Sequence, residues 1–206
     1  MGKHAQSIDA LILRRVLAGR GRRVFTAADF LDLGSRDAID TALSRQARAG
    51  LIRKLARGLY DVPRQDARLG PLSPSVDAIA KALRGRDAVR LQPTGAYAAN
   101  LLGLSNQVPM RVVFLTDGSA SQVHIGALQI VLKRTTPRNM ATAGRSSGLV
   151  IQGLRHLGQQ HVNEGVVAAL RRRLSDSDKR RLLKDLRYAP AWVGRIMRQI
   201  AEGVGK

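Results

Sequence analysis

Helix-capping side chains and glycines divide the first fifty residues into short segments. Ser7, Thr26 and Ser35 each precede apolar residues at helical spacing, and each can accept a hydrogen bond from the first turn of a helix. Asp29 follows Thr26 at the spacing of a capping box, and Phe30 stands where it can pack against Phe25. These capping residues and glycines predict three helices, with a very short connection between the second and the third. The glycines that end them are Gly19 with Gly21, Gly34 and Gly50.

Two short apolar runs follow the third helix. They are Leu51–Ala56 and Leu59–Val62, and Arg57 with Gly58 separates them. Runs of this length around a glycine predict two strands joined by a turn. Val24 and Phe25 add a short extended piece before the second helix. Three helices followed by a hairpin form a winged helix-turn-helix, which we predict for residues 1–64.

The pattern breaks between Pro63 and Ser75, where three prolines and a glycine interrupt any periodicity. We interpret residues 65–75 as a linker and residues 76–206 as a C-terminal domain. Strand-like runs occur there at Val112–Leu115, Gln122–Ile125 and Leu128–Leu132, and helical patterns return from Leu149. We therefore predict an α+β chain: an N-terminal winged helix-turn-helix, then an α+β domain with a small antiparallel sheet and a C-terminal helical section.

A small-residue segment, Ala141–Gly148, interrupts the second half between the strands and the helices. It consists of alanine, threonine, serine and glycine with one arginine, which is a low-complexity composition. We predict a mobile loop there.

The chain carries 35 Lys and Arg against 15 Asp and Glu, a net charge of +20. Positive charge of this size favours nucleic acid as a partner, because binding to phosphates releases counterions. Aromatic residues make up only 3% of the chain, which argues against single-strand binding by base stacking. Duplex DNA is the predicted partner. A basic surface that only aids solubility is the alternative interpretation.

A helix that enters the major groove must present base-reading groups on the face opposite its apolar stripe. In the third predicted helix that stripe includes Ile39 and Leu43. The other face and the hairpin supply the predicted DNA-binding residues: Ser35, Arg36, Thr41, Ser44, Arg45, Arg48, Arg53, Lys54 and Arg57. Arg36, Thr41 and Ser44 are predicted to contact bases or nearby phosphates, and Arg45 and Arg48 to clamp phosphates. The alternatives are a solvated helix face with Asp–Arg pairs and a basic edge that blocks sheet association.

A second basic cluster lies on successive helices near the C-terminus. Its members are Arg171, Arg172, Arg173, Lys179, Arg180, Arg181, Lys184 and Arg187. Such a surface suits DNA backbone, tRNA or another acidic target, and a solvated helical face explains it equally well.

Catalytic and metal-binding patterns are weak in this sequence. Asp117, Ser119, Ser121 and His124 are close in sequence, but no nucleophile elbow accompanies them, and a turn explains Asp117 with Gly118. The sequence has no cysteine, phosphate-binding loop or dinucleotide fingerprint. We predict a protein that is not an enzyme and has no metal or cofactor. The lack of a long apolar run predicts a soluble, cytoplasmic protein.

The segment from Gln92 to Ser105, with Gln107-Val108-Pro109 and Phe114–Gly118, resembles the AbiEi-like antitoxins of type IV toxin-antitoxin systems. The predicted wing, Gly50–Tyr60, is similar to theirs as well, and the resemblance covers nearly the whole chain. It implies a winged helix that represses its own promoter, often at inverted repeats. It also implies a C-terminal domain that counteracts a nucleotidyltransferase-like toxin without a stable complex.

Inverted repeats would require two protomers on the DNA, so a dimer there is also expected. Two other functions remain open at this stage. One is a winged-helix repressor with an unrelated C-terminal sensor, and the other is an RNA-directed protein or enzyme that uses the basic second half.

Overall fold

The computed structural model describes residues 7–18 and 24–202, and the predicted helix end at Gly19 and Gly21 lies outside them. The chain forms two compact units, Met1–Val89 and Arg90–Lys206. Both contain helices and short strands, so the α+β class is confirmed. Within the described residues, no helix has the length and apolar character needed to cross a membrane.

The first unit consists of short helices and two small hairpins. In chain order its elements are α1 (Ile8–Ala18), a 3-10 turn (Ala27–Phe30), α2 (Arg36–Arg48), β1 (Arg53–Ala56), β2 (Leu59–Asp61), β3 (Gln65–Asp66), β4 (Gly70–Pro71) and α3 (Val76–Asp87). Strands β1 and β2 pair antiparallel, as do β3 and β4. Phe25 adds one antiparallel bridge to Tyr60.

The predicted helix starts are confirmed by local hydrogen bonds. The Ser35 hydroxyl accepts from the Ala38 N–H at 3.4 Å, and the Thr26 N–H donates to the Asp29 carboxylate at 2.9 Å. The second predicted helix is only a four-residue 3-10 turn, because the next helix begins soon after it at Ser35. Local capping therefore determines where these segments begin.

One apolar cluster joins α1, the 3-10 turn, α2 and the first hairpin. Ile12, Ile39 and Leu43 are fully buried in it. The Phe25 ring meets the Phe30 ring edge-on at 5.7 Å, as the predicted pairing requires, and stacks on the Tyr60 ring at 6.3 Å. The cluster holds the first hairpin against the helices.

The predicted linker at residues 65–75 is folded and belongs to the first unit. It contains the β3–β4 hairpin, whose turn is closed by the Asp66 carboxylate accepting from the Arg68 and Leu69 N–H groups. Helix α3 then packs against the 3-10 turn, burying Ile79 and Leu83. The boundary between compact units therefore lies after Val89 and not within residues 65–75, because the prolines and glycines there shape a hairpin.

The second unit combines a four-stranded sheet with several helices. Its strands are β5 (Leu91–Thr94), β6 (Arg111–Thr116), β7 (Ser121–Ile125) and β8 (Leu128–Arg134). Its α-helices are α4 (Gly95–Leu101), α5 (Pro137–Met140), α6 (Ser146–Leu157), α7 (Glu164–Arg173), α8 (Asp176–Lys184) and α9 (Ala191–Ala201). Short 3-10 turns cover Gln159–His161 and Leu186–Tyr188.

The strand order in this sheet is β5-β6-β8-β7. The two outer pairs are antiparallel, and of these the β7–β8 pair matches the predicted sheet, whereas the central pair, β6 with β8, is parallel. The order follows from burial: β8 buries Ile130 and Leu132 completely or nearly so, while β7 exposes Gln122 and His124. The more apolar strand takes the centre of the sheet, and the polar strand forms its edge.

The start of α6 is buried, contrary to the mobile loop predicted for Ala141–Gly148. Asp185, at the end of α8, accepts hydrogen bonds from the Ser147 hydroxyl at 2.5 Å and from Arg145 Nη1 at 3.0 Å. Gly148 and Thr142 are also buried. Small residues occur here because α6 starts in close contact with its neighbours.

Candidate nucleic-acid interface

Helix α2 presents two distinct faces. Ile39, Leu43 and the amide of Gln46 are buried, whereas Thr41 and Arg48 are exposed on the other side. Arg36 and Arg45 are exposed too, Ser44 is half-buried, and Ser35 caps the helix. Helix α2 therefore places the predicted residues on a solvent-facing surface.

Two of these arginines already have carboxylate partners. Arg36 Nε donates to Asp40 Oδ2 at 2.9 Å within α2, and Arg45 Nη2 donates to Asp9 Oδ2 of α1 at 2.5 Å. Exposed ion pairs contribute at most about 1 kcal/mol, so a phosphate can compete for either arginine. Arg48 has no carboxylate partner in the described part of the chain and contacts only the Ser44 carbonyl, at 3.4 Å.

The groove between α1 and α2 has an acidic lining. A cavity of about 430 Å³ there is bordered by Asp9 and Asp37 together with Thr41 and Arg45. These carboxylates repel phosphate, so the N-terminal part of α2 is less suited to backbone contacts than its C-terminal end.

Arg53 has a structural position in the hairpin. Its Nε and Nη2 donate to the two carboxylate oxygens of Asp61 at 2.9 and 2.7 Å, and Nη2 also donates to the Leu72 carbonyl at 2.8 Å. The hydrogen bonds to Asp61, together with its negative charge, raise the pKa of Arg53 above its ordinary value. Asp61 is only 6% exposed and Arg53 29% exposed. In the structure Arg53 ties the first hairpin to the segment after it, a role different from the predicted DNA contact.

Replacing Arg53 with alanine is expected to lower the free energy of unfolding by about 2 kcal/mol, because it leaves the Asp61 carboxylate buried without its partner. Chemical denaturation followed by circular dichroism measures this change. Lys54→Ala is the matched control, since the neighbouring Lys54 is exposed and should shift stability by less than about 0.5 kcal/mol. Equal effects of the two substitutions would contradict the structural role of Arg53.

Lys54 and Arg57 are the available cations of the hairpin. Both side chains are exposed, and neither has a carboxylate partner among residues 7–18 and 24–202. Arg57 immediately precedes Gly58, whose positive φ of 70° makes the turn. Together with Arg48, they form what we call the free cation set: Arg48, Lys54 and Arg57.

In the predicted second basic surface, too, some side chains have partners and others have none. Arg171 pairs with Glu202, Arg173 donates to the Leu101 carbonyl, and Lys179 pairs with Asp176. The Arg187 guanidinium stacks on the Tyr188 ring at 5.0 Å. The exposed members that make no ion pair, hydrogen bond or ring contact, as far as the structure describes the chain, are Arg172, Arg180, Arg181 and Lys184.

Sequence reasoning missed a third basic feature, a cleft in the second unit. Lys133 and Arg134 at the end of β8 line it together with Arg155 and His156 at the end of α6. The only sequence signal was a pair of adjacent basic residues at the end of each element. Nothing local indicates that the two ends meet.

Two of the side chains considered for catalysis, Asp117 and His124, have hydrogen-bond partners. Asp117 accepts from both the N–H and the Nε of Arg90 at 2.8 Å, and these bonds hold the pKa of its carboxyl below the usual value. His124 Nε2 lies 2.9 Å from the Gln122 amide nitrogen. Among the described residues, no three His, Cys, Asp or Glu side chains come together in a way that could hold a metal ion.

Comparison with known proteins gives one family. Residues 13–182 match DUF6088, described as a family of unknown function. No curated protein matches the chain. Because the match covers well over half of the sequence, this chain belongs to the DUF6088 family.

Proposed function

We propose that this protein is a DNA-binding autorepressor and antitoxin of the AbiEi-like type, with a winged helix-turn-helix in its first unit. One observation carries the DNA-binding part. Helix α2 buries its apolar stripe and exposes Thr41 and Arg48, and the hairpin that follows exposes Lys54 and Arg57.

The arrangement suits a helix in the major groove and a hairpin beside it. In such a complex Thr41 on α2 faces base edges, while Arg48 contacts a phosphate at the end of the helix. Arg57 at the hairpin tip reaches a minor groove or a flanking phosphate. The net charge of +20 adds long-range attraction to the polyanion.

The antitoxin part rests on the resemblance at Gln92–Ser105 and Phe114–Gly118. These segments lie in β5, α4 and the end of β6, all in the second unit. On this proposal the chain has no enzymatic activity and counteracts a nucleotidyltransferase-like toxin without binding it stably.

A fluorescence-anisotropy titration tests the DNA-binding part. The full chain is titrated against duplex DNA from upstream of its own gene and against a scrambled duplex of equal length, at several salt concentrations. We expect tighter binding to the upstream DNA that persists at about 0.15 M salt, because base contacts do not depend on counterion release. Equal, steeply salt-dependent binding to both duplexes would refute a sequence-specific repressor.

Coexpression tests the antitoxin part separately. The proposal predicts a nucleotidyltransferase-like gene next to this one, and in the test that gene is expressed alone and together with the full chain. We expect growth to stop with the first gene alone and to recover with both. Failure to recover growth at confirmed expression of both proteins would refute the antitoxin function and leave the DNA-binding result intact.

A further inference from the structure

The cleft of the second unit has both apolar and polar side chains on its floor. It has a volume of about 390 Å³, and Val113 and Leu115 of β6 contribute its apolar part. In the sheet register Thr94 pairs with Val113, and Lys133 pairs with Leu115. Register partners project from the same face of a sheet, so these four side chains form one continuous surface.

Helix α6 forms the opposite wall. Gln152, Arg155 and His156 lie three and four residues apart, so they share one side of the helix. The side-chain amide oxygen of Gln152, Oε1, accepts a hydrogen bond from the Thr94 hydroxyl at 2.9 Å. That bond fixes the wall to the floor, so the cleft is formed by regular elements and not by a loop.

The charges around the cleft are all of one sign. Lys133, Arg134 and Arg155 have no ion pair among the residues that the structure describes, and no carboxylate lines the cleft. Elsewhere in the same unit, Arg90 and Arg145 pair with Asp117 and Asp185. Three uncompensated cations around one concave surface attract an anion into it.

The size of the cleft indicates the kind of anion. Small-molecule sites range from about 300 to 1,000 Å³, and apolar side chains with a few polar groups line most of them. This cleft adds the Asn139 and Gln152 amides and the Thr94 hydroxyl to its apolar floor. A concave surface of this size fits a small molecule better than the convex backbone of a duplex.

We propose that this cleft binds an organic phosphate of nucleotide size. Lys133 and Arg155 contact the phosphate oxygens from the two sides, and Val113 with Leu115 lies beneath the organic part. Arg134 adds charge at the rim. The inference does not depend on the proposed DNA binding, since it uses none of the residues of the first unit. Thr94 and Leu115 of the cleft do lie in the two segments that carry the antitoxin resemblance.

Calorimetric titration of the full chain tests the inference, with ATP, inorganic pyrophosphate and adenosine as probes at about 0.15 M salt. We expect saturable binding of one ATP per chain, weaker binding of pyrophosphate and none of adenosine. Replacing Lys133 and Arg155 together by alanine should raise the Kd for ATP by about 100-fold, because each contributes a charge-assisted contact to phosphate.

The matched control is Arg195→Ala with Arg198→Ala on α9. Both arginines are exposed and lie outside the cleft. Replacing them removes the same net charge as replacing Lys133 and Arg155. ATP binding should change less than about twofold in this control, since only the local contacts determine it. Circular dichroism melts check that both double variants are folded, and Arg155→Lys, which keeps the charge, should retain most of the affinity.

Three results would overturn the inference. The first is the absence of saturable binding by all three probes. The second is an equal loss in the control variant, which would attribute binding to net charge alone. The third is displacement of ATP by a short duplex that depends on Lys133 and Arg155, which would make the cleft a nucleic-acid contact.

Discussion

Alanine at Arg48, Lys54 and Arg57 together is expected to weaken binding to duplex DNA by about 10² to 10³-fold at about 0.1 M salt. Each lost phosphate contact should also reduce the slope of log affinity against log salt by about one. These three side chains are the free cation set on α2 and the first hairpin. They have no carboxylate partner in the described ranges, so their removal breaks no ion pair within the fold.

Anisotropy titrations at several salt concentrations measure both quantities. The comparison variant carries alanine at Arg172, Arg180 and Lys184, which removes the same charge from the second unit. We expect a much smaller loss for this comparison variant, because those residues lie outside the proposed interface. Equal losses for the two triple variants would mean that net charge, and not the α2 and hairpin surface, determines DNA binding.

Gly148→Ala is expected to lower the free energy of unfolding by about 3 kcal/mol, the largest effect that we expect of any single methyl group in this chain. A Cβ atom at this position would overlap the Thr142 carbonyl and come within 2.5 Å of Gln92 Oε1. The first of these atoms belongs to the backbone, so a side-chain rotation cannot relieve the clash. Helix α6 would have to shift away from both neighbours.

Urea denaturation of the full chain measures the loss. Gly85→Ala in α3 is the control: no atom lies within 4 Å of the added methyl group, and alanine is the better helix former. That control should gain about 0.5 to 1 kcal/mol. Both substitutions add one methyl group. If one lowers the free energy of unfolding and the other raises it, the difference comes from the room available at each position. A stability loss of less than about 0.5 kcal/mol for Gly148→Ala would contradict the close packing of α6.

Helix α2 shows which features helical spacing can predict and which it cannot. Helical spacing correctly predicted that Ile39 and Leu43 are buried and that Thr41 and Arg48 are exposed. It did not indicate which arginines have partners. Arg45 pairs with Asp9, which is 36 residues away in the chain, so only the packing of α1 against α2 brings the two charges together.

The same distinction applies to the second unit. Strand propensity located β6 and β8, but β7 and β8 enter the sheet as a hairpin with β8 innermost, and this makes the β6–β8 pair parallel. The cleft depends on that pairing, because it places Lys133 opposite Leu115. The meeting of Lys133 and Arg155 across the cleft has no local signature.

The sequence alone determined the features that depend on neighbouring residues: the helix starts at Thr26 and Ser35, the turn at Gly58 and the buried side of α2. These features need only hydrogen bonds and apolar spacing within a few residues. Tertiary structure decided that α3 packs with the first unit, that Arg53 pairs with Asp61 and contacts Leu72, and that the cleft forms. Each of these requires a partner that is distant in the chain, and burial of apolar surface over the whole unit selects that partner.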